Sequence, residues 1–230
     1  MNIFYAPPEQ ISDHRIELLE QEAHHASRVL RYNEGEAITV VDGRGNWYEG
    51  SILRINRNSV LIDIEDHKTK ENQVKNLVLG LSIIKNRNRL EFAVEKAVEL
   101  GASEIVLYQS INTEKSKVRT NRLESIVLSA MKQSLRAKLP AIKRLHSLEE
   151  LMMEYPDFQY LIAHEKKEGE SGVPNEYKSR DDIMLLVGPE GGFTDNEIEM
   201  VKGRGGDVIS LGSNRLRAET AAITFLSQFI

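Results

Sequence analysis

Apolar and polar positions follow two different patterns along the chain, and the change falls near residue 70. Short β-rich runs separated by turn sequences fill the first part, which is typical of an all-β module. In the second part, apolar runs alternate with helical patterns, which favours a parallel sheet covered by helices on both faces. The strand-like runs lie at residues 37–41, 47–55, 59–64, 77–83, 105–108, 160–163, 183–187 and 208–211, and the helical patterns near residues 89–100, 122–137, 195–203 and 218–230. We therefore predict an α/β protein with a β domain at residues 1–72 and a second domain at residues 73–230.

Two of the predicted strands run into glycine-rich segments near the end of the chain. The sequence GPEGGF at residues 188–193 follows one strand, and LGSNRLR at residues 211–217 follows the other. Each glycine lets the backbone turn sharply or approach a ligand closely, and each segment opens into a helix whose first N–H groups have no partner within that helix. Open α/β sheets bind small molecules at such strand ends. We predict that the two segments form one binding pocket.

The helix that follows the first segment carries signals for its own start. Thr194 and Glu197 have the spacing of a capping box, and Phe193 and Ile198 have the spacing of a hydrophobic staple. We therefore predict that this helix holds the geometry of the glycine-rich turn. The last helix has an apolar stripe within residues 218–229, which indicates either core packing or a dimer interface.

The composition of the chain and the motifs that it lacks exclude several kinds of chemistry. The chain has no cysteine, which rules out disulfides and cysteine metal sites. Neither the dinucleotide pattern G-x-G-x-x-G nor the P-loop pattern G-x-x-x-x-G-K-[ST] is present in the sequence. His24 and His25 are adjacent, so they cannot easily share one metal from one helix face, and we predict no metal site. No segment approaches the length needed to cross a membrane, and we predict a cytoplasmic protein with no membrane contact.

The charge is distributed unevenly along the chain. The net charge is −5, yet residues 85–144 contain 13 Lys and Arg against 6 Asp and Glu. Within that range, basic clusters occur at residues 85–89, 115–119 and 132–144. Such clusters are often only solvated surface, but their concentration favours contact with the phosphates of a nucleic acid. Because the protein as a whole is acidic, we expect a structured target rather than indiscriminate coating of RNA.

The two glycine-rich segments resemble a known cofactor site. GPEGGF together with the pattern LG-x-x-x-LR-x-ETA at residues 211–221 is similar to the S-adenosylmethionine site of SPOUT-class RNA methyltransferases, and within them of the RsmE family, which methylates N3 of a uridine in 16S ribosomal RNA. The H-x-x-x-V-L-R pattern at residues 25–31, the D-G-x-G pattern at residues 42–45 and a third pattern at residues 91–101 also resemble this family. The resemblance implies a SPOUT-type parallel sheet with a C-terminal trefoil knot, preceded by a small PUA-like β-barrel domain.

The resemblance implies S-adenosylmethionine as the cofactor. Backbone groups of the two segments are suited to hold its adenosine and amino-acid parts, and the end of the strand at residues 160–163 would form a third wall. The candidate cofactor-binding residues are Ala163, His164, Gly188, Pro189, Glu190, Gly191, Gly192, Leu211, Gly212, Asn214 and Leu216.

Uracil N3 carries a proton and becomes a good nucleophile only as that proton leaves, which spreads negative charge onto O2 and O4. Arg217, at the start of the last helix, is the candidate that stabilises this charge with a permanent cation. Glu190 is the candidate general base, with Glu219 or water as alternatives. Both carboxylates also have structural interpretations. Glu190 could cap the next helix or pair with Arg217, and Glu219 could simply favour the positive end of the last helix.

RNA recognition is assigned to two sets of basic residues. The resemblance implies that Arg28 and Arg31 of the PUA-like domain contact the RNA backbone. We add Lys85, Arg87, Arg89 and Arg136 from the basic clusters. The resemblance further implies a homodimer that acts on 16S ribosomal RNA, and we expect the assembled small ribosomal subunit as the substrate.

Two residues depart from the family pattern. Arg215 stands where an aliphatic residue is usual, and Lys115 stands where an arginine is common. Three other functions stay open at this point: a SPOUT methyltransferase with another RNA target, a non-catalytic RNA-binding or assembly protein, and a metabolite-binding α/β protein. Binding of S-adenosylmethionine separates the enzymes from the RNA-binding protein.

Overall fold

Two separate β-sheets organise the computed structural model, which describes residues 2–69, 76–114, 118–165 and 171–230. Tertiary contacts divide the chain into two units: Met1–Gln73 with Met131–Leu139, and Val74–Ala130 with Pro140–Ile230. The predicted domain boundary, between residues 72 and 73, lies outside the described residues. The assignment of a separate function to each domain stays a prediction.

The helices and strands have the following bounds. The strands are β1 (Ile3–Tyr5), β2 (Arg15–Leu19), β3 (Ala37–Val41), β4 (Asn46–Ile55), β5 (Ser59–Thr69), β6 (Asn76–Ser82), β7 (Glu104–Tyr108), β8 (Ala141–Arg144), β9 (Gln159–Ala163), β10 (Asp182–Val187) and β11 (Asp207–Ile209). The α-helices are α1 (Glu20–His24), α2 (Arg87–Glu99), α3 (Thr120–Gln133), α4 (Leu148–Glu154), α5 (Asn175–Lys178), α6 (Asp195–Gly203) and α7 (Ala218–Leu226). A π-helical turn covers His25–Val29, and short 3₁₀ helices cover Pro8–Gln10 and Ser227–Phe229.

The first unit is a five-stranded sheet in the order β1-β3-β4-β5-β2. Strand β1 is parallel to β3, and the other neighbours are antiparallel. Ile16 and Leu18 alternate with exposed residues along β2 and are fully buried, as a half-buried strand requires. Register shifts at Glu49/Gly50 and Ile52/Arg54 interrupt the pairing of β4 with β5, and such bulges bend a strand. The predicted β module is confirmed.

The turn between β3 and β4 is built around a buried carboxylate. The side chain of Asp42 accepts hydrogen bonds from the backbone N–H groups of Arg44 at 2.7 Å and Asn46 at 3.0 Å. Gly43 and Gly45 have φ angles of +75° and +108°, which glycine adopts without steric cost. These two glycines are turn residues, in agreement with the hairpin interpretation of the D-G-x-G pattern.

The second unit contains a six-stranded, fully parallel sheet in the order β11-β9-β10-β6-β7-β8. Met184 and Leu186 of β10 share a buried cluster with residues of α4 and α6. Leu185 is also fully buried, and because side chains alternate along a strand it faces the opposite side of the sheet. On that side, α7 packs against β6, β10 and α2. The predicted α/β fold with a covered parallel sheet is confirmed, and the trefoil knot stays a prediction.

The same packing decides the role of the apolar stripe on α7. Ala222, Phe225 and Leu226 are fully buried within the second unit, so these residues belong to its core.

The sheet also aligns the ends of β9, β10 and β11, because parallel strands place their carboxyl ends at one edge. Ile209 pairs with Ala163, and Leu186 pairs with Ile162. The segments that follow these three strands therefore begin close together.

Candidate active site

A cleft of about 550 Å³ lies at this edge of the parallel sheet. Its walls are the segments that follow β9, β10 and β11, together with the first turns of α2 and α7. The structure brings together every residue predicted to hold the cofactor: Ala163, His164, Gly188, Pro189, Glu190, Gly191, Gly192, Leu211, Gly212, Asn214 and Leu216. Arg217 also lines the cleft. The functional roles of these residues stay predictions.

The first wall is the segment at residues 188–192, which we call the glycine turn. It is closed by a hydrogen bond from the Gly192 N–H to the Pro189 carbonyl at 2.9 Å. A Cβ on Gly188 would stand 3.0 Å from the ring of Phe193, and a Cβ on Gly191 would stand 2.9 Å from the Cβ of Asn112. Glycine at these two positions therefore lets neighbouring side chains pack directly against the turn.

Helix α6 begins where the glycine turn ends. Thr194 is its N-cap, and the predicted capping box with Glu197 is confirmed. The Thr194 N–H and hydroxyl donate to Oε2 of Glu197 at 2.8 and 2.9 Å. Phe193 and Ile198 lie in one buried cluster, as the predicted staple requires. The helix thus fixes one end of the turn.

The sequence did not indicate a second support for the glycine turn. The Tyr108 hydroxyl at the end of β7 donates to the Val187 carbonyl at 3.3 Å, and burial raises the pKa of this hydroxyl well above its usual range, so it keeps its proton. The segment after Tyr108 contacts both Glu197 and the glycine turn. No local pattern signals these contacts, because they join residues that are 79 to 87 positions apart in the chain.

The second wall follows β11. Gly212 adopts φ +139°, a conformation that L side chains rarely adopt. Arg215, one of the two departures from the family pattern, forms an ion pair with Glu165 at 3.1 Å on the rim of the cleft. Its side chain remains 73% exposed, so this pair contributes little to stability. The other departure, Lys115, lies outside the described residues.

Arg217 is the N-cap of α7 and has an extended backbone, with φ −73° and ψ 155°. Its carbonyl accepts the first hydrogen bond of the helix, from the Ala221 N–H at 2.8 Å, while its side chain makes no capping bond. Among the residues that the structure describes, no carboxylate forms an ion pair with its guanidinium. The backbone is thus held by the helix, while a permanent positive charge remains available at the cleft.

The two candidate bases have different surroundings. Glu190 is exposed, and its carboxylate accepts a hydrogen bond from the Lys85 N–H at 3.1 Å. Glu219 is buried and forms an ion pair with Arg89 at 3.4 Å. The predicted alternative in which Glu190 pairs with Arg217 is not the arrangement in the structure. Of the two carboxylates, Glu190 is the one with free access to solvent.

Three predicted RNA-binding residues belong to the second unit, and each has an acidic neighbour. Arg89 lines the cleft and pairs with Glu219, while Arg87 donates to Glu91 at 2.7 Å. The Lys85 ammonium forms an ion pair with Glu114, and this contact raises the lysine pKa. Burial alone would raise the pKa of Glu91, but hydrogen bonds from Arg87 and Arg122 lower it.

The other three predicted RNA-binding residues belong to the first unit. Arg28 and Arg31 are exposed, within and just beyond the π-helical turn, and Arg31 has φ +57°. Arg136 is half-buried, and burial lowers the pKa of its guanidinium. Arg28 and Arg31 therefore have the exposure that phosphate contact needs, whereas Arg136 is less accessible.

Within residues 2–69, 76–114, 118–165 and 171–230, no three His, Asp or Glu side chains are grouped so that they could hold a metal ion. In the same ranges, none of the helices combines the length and apolar character needed to cross a membrane.

The fold and the cleft define the class of protein. The family model described as RNA methyltransferase domain matches residues 70–230, and the one described as RNA methyltransferase PUA domain matches residues 18–65. The architecture is thus that of an RNA methyltransferase with a PUA domain. More narrowly, the chain belongs to the family of ribosomal RNA small subunit methyltransferase E.

Similar proteins support this assignment across nearly the whole chain. Ribosomal RNA small subunit methyltransferase E of Rickettsia conorii is 31% identical, and the match covers 96% of this chain and 88% of that protein. The crystal structure of a probable rRNA-methyltransferase from Porphyromonas gingivalis is 32% identical, with a TM-score of 0.87 over 98% of this chain and 95% of that one. Ribosomal RNA small subunit methyltransferase E from Neisseria gonorrhoeae, bound to S-adenosyl methionine, is 29% identical with a TM-score of 0.85 over the same shares.

Proposed function

We propose that this protein transfers a methyl group from S-adenosylmethionine to N3 of a specific uridine in 16S ribosomal RNA. The cleft carries the proposal, because it gathers both glycine-rich segments and Arg217 at one edge of the parallel sheet. The related Neisseria gonorrhoeae protein is described as bound to this cofactor and has the same fold over nearly the whole chain.

The residues of the cleft fit this cofactor. A volume of about 550 Å³ is in the range of small-molecule sites. Gly192 and Gly212 both line the cleft, and a Cβ on either would meet no protein atom within 4 Å, so the backbone there is open to a ligand. When bound, S-adenosylmethionine supplies an electrophilic methyl group on a positively charged sulfur. The chain must then place the uracil so that N3, the methyl carbon and the sulfur are nearly in line.

Arg217 has the main chemical role in this proposal. As the N3 proton leaves, negative charge develops on O2 and O4 of the uracil, and a guanidinium at the cleft stabilises it. Glu190 accepts the proton directly or through water, since its carboxylate is exposed at the cleft. In the proposed reaction, one methyl group moves from sulfur to N3 and one proton leaves N3. Glu219, in the first turn of α7, instead forms an ion pair with Arg89 of α2.

We further propose that the protein acts as a homodimer in the cytoplasm and recognises the assembled small ribosomal subunit. The dimer is supported by the family resemblance, and the cytoplasm follows from the proposed substrate. The net charge of −5, with exposed Arg28 and Arg31 in the first unit, favours a structured RNA over indiscriminate binding. Light scattering of the purified protein tests the dimer, because a dimer has twice the chain mass of 26.1 kDa.

Methyl transfer to isolated small ribosomal subunits tests the main proposal. Labelled S-adenosylmethionine is incubated with subunits that lack the modification, with free 16S ribosomal RNA and with tRNA. A methyl group on N3 blocks the Watson–Crick edge, so reverse transcriptase should stop at one uridine of the small subunit. Preference for assembled subunits would support recognition of RNA shape. Label in tRNA alone would assign the enzyme to another substrate, and cofactor binding without transfer to any RNA would contradict the proposed substrate.

Substitution of Arg28 and Arg31 is expected to weaken RNA binding without changing cofactor affinity. Each Arg→Ala change should remove about one phosphate contact and reduce the magnitude of the negative slope of log affinity against log salt by roughly 0.7 to 0.9. Filter binding at several salt concentrations measures this slope. Arg57→Ala is the matched control, because Arg57 is also exposed in the first unit but lies in the turn between β4 and β5. An unchanged slope in the Arg28 and Arg31 variants would contradict the proposal that these two residues contact RNA.

A further inference from the structure

The segment after β7, residues 110–113, contacts the glycine turn directly, and we call it the 110–113 loop. Nδ2 of Asn112 donates to the carbonyl of Gly192 at 3.0 Å and to that of Gly191 at 3.4 Å. A Cβ on Gly191 would stand only 2.9 Å from the Cβ of Asn112, so this side chain lies against the turn. Because each peptide unit is planar, holding these two carbonyls fixes the planes of two successive peptide units.

The 110–113 loop is itself closed by its own hydrogen bonds. The Ser110 N–H donates to Oγ1 of Thr113 at 2.9 Å, and the Thr113 N–H donates to the Ser110 carbonyl at 3.0 Å. Oγ1 of Thr113 also lies 2.9 Å from Oγ of Ser82, which is fully buried at the end of β6. The loop is therefore attached to the sheet as well as to the turn.

A single buried carboxylate joins this loop to helix α6. Glu197 is 1% exposed, and its two oxygens serve different elements. Oε1 accepts hydrogen bonds from the Ser110 hydroxyl at 2.7 Å and the Ile111 N–H at 3.1 Å, while Oε2 accepts both bonds from Thr194. The glycine turn is consequently held from two sides, by the helix that follows it and by Asn112.

We infer that Asn112 is a positioning residue for the cofactor, acting through the glycine turn and held in place by Glu197. The inference rests on the proposed function, because it takes the cleft as the S-adenosylmethionine site. Asn112 is not among the residues that line the cleft, whereas Gly191 and Gly192 are. Asn112 therefore acts on cofactor affinity through the backbone of the turn and not by contact with the ligand.

Calorimetric titration of S-adenosylmethionine into the full chain tests this inference. Asn112→Ala removes the donor and should raise the dissociation constant about tenfold, which corresponds to the loss of one ordinary hydrogen bond. Asn112→Asp keeps the shape but places a carboxylate, which only accepts hydrogen bonds, against two carbonyl oxygens, and should raise the constant further. Asn121→Ala, at an exposed position of α3 away from the cleft, should bind like the wild type.

Two further readouts separate positioning from a merely structural role. In steady-state kinetics, both Asn112 variants should raise KM for S-adenosylmethionine, while kcat at saturating cofactor stays within about twofold of the wild type. The reason is that the lost interaction stabilises the ground state and the transition state equally. For Asn112→Asp, affinity relative to the wild type should recover as the pH falls towards the usual titration range of aspartate, about 4, because protonation restores one O–H donor.

The outcomes distinguish this inference from the proposed function. Wild-type affinity in both Asn112 variants would overturn the positioning role while leaving the proposed function intact. A lower kcat at saturating cofactor with no recovery at low pH would also overturn it, in favour of a structural role. A wild-type protein that binds no S-adenosylmethionine would overturn the proposed function and the inference together.

Discussion

Arg217→Ala is expected to lower the methylation rate at saturating cofactor and RNA by about a hundred- to a thousandfold, the usual effect of removing one group that stabilises developing charge. The Arg217 guanidinium lines the cleft and has no ion-pair partner among the described residues, so its charge is not already used by a structural contact. Single-turnover transfer of labelled methyl groups to small ribosomal subunits measures the rate. Arg217→Lys keeps the charge but loses the planar fork, so its methylation rate should lie between those of Arg217→Ala and the wild type.

The matched control for Arg217 is Arg180→Ala. Arg180 is exposed in the same unit and stacks on the ring of Tyr177 at 5.7 Å, but it does not line the cleft. This variant should methylate at the wild-type rate. The affinity of Arg217→Ala for S-adenosylmethionine should change far less than its rate, because the proposed role concerns the charge on uracil. A wild-type methylation rate in Arg217→Ala would contradict the proposed role of this residue in the mechanism.

Glu197→Ala is expected to lower the free energy of unfolding of the second unit by about 3 to 5 kcal/mol. The change leaves the Ser110 hydroxyl and the N–H groups of Ile111 and Thr194 buried or part-buried without their acceptor, and each such group costs about 1 to 3 kcal/mol. The effects of neighbouring groups are not additive, which keeps the total below their sum. Urea unfolding followed by circular dichroism measures the loss.

Two matched variants show whether burial and hydrogen bonding cause this loss. Glu197→Gln keeps the volume and one acceptor oxygen, so its loss should be about half as large or less. Glu199→Ala removes a carboxylate from the same helix, but that side chain is 71% exposed and pairs with Lys202 at 2.9 Å on the surface. Its effect should stay within about 0.5 kcal/mol. Equal effects of Glu197→Ala and Glu199→Ala would show that the buried network contributes nothing.

Local signals in the sequence were sufficient where one segment determines its own structure. The capping box of Thr194 and Glu197 depends on a spacing of three residues, and the structure contains it. The turn glycines Gly43 and Gly45 likewise follow from conformations that only glycine adopts freely. The alternation of apolar runs with helical patterns predicted the parallel sheet, because each pattern repeats within a few residues.

Long-range pairings were beyond the reach of such signals. Glu219 and Arg89 were predicted as a possible base and an RNA contact, and the structure pairs them although they are 130 positions apart in the sequence. Arg136 was predicted from a basic cluster, but charge along a sequence does not show that the side chain is half-buried. In both cases the partner or the burial comes from another element.

The sequence by itself determined the class of fold, the family pattern and the glycine-rich segments that form two walls of the cleft, because local periodicity and short motifs at strand ends carry this information. Only the tertiary structure decided which side chains hold that cleft in shape. The link from Glu197 through the 110–113 loop to Asn112 joins the ends of β7 and β10, strands that are separated by β6 in the sheet. Hydrogen bonds between such distant segments depend on where the packed sheet places them, and no spacing along the chain encodes that position.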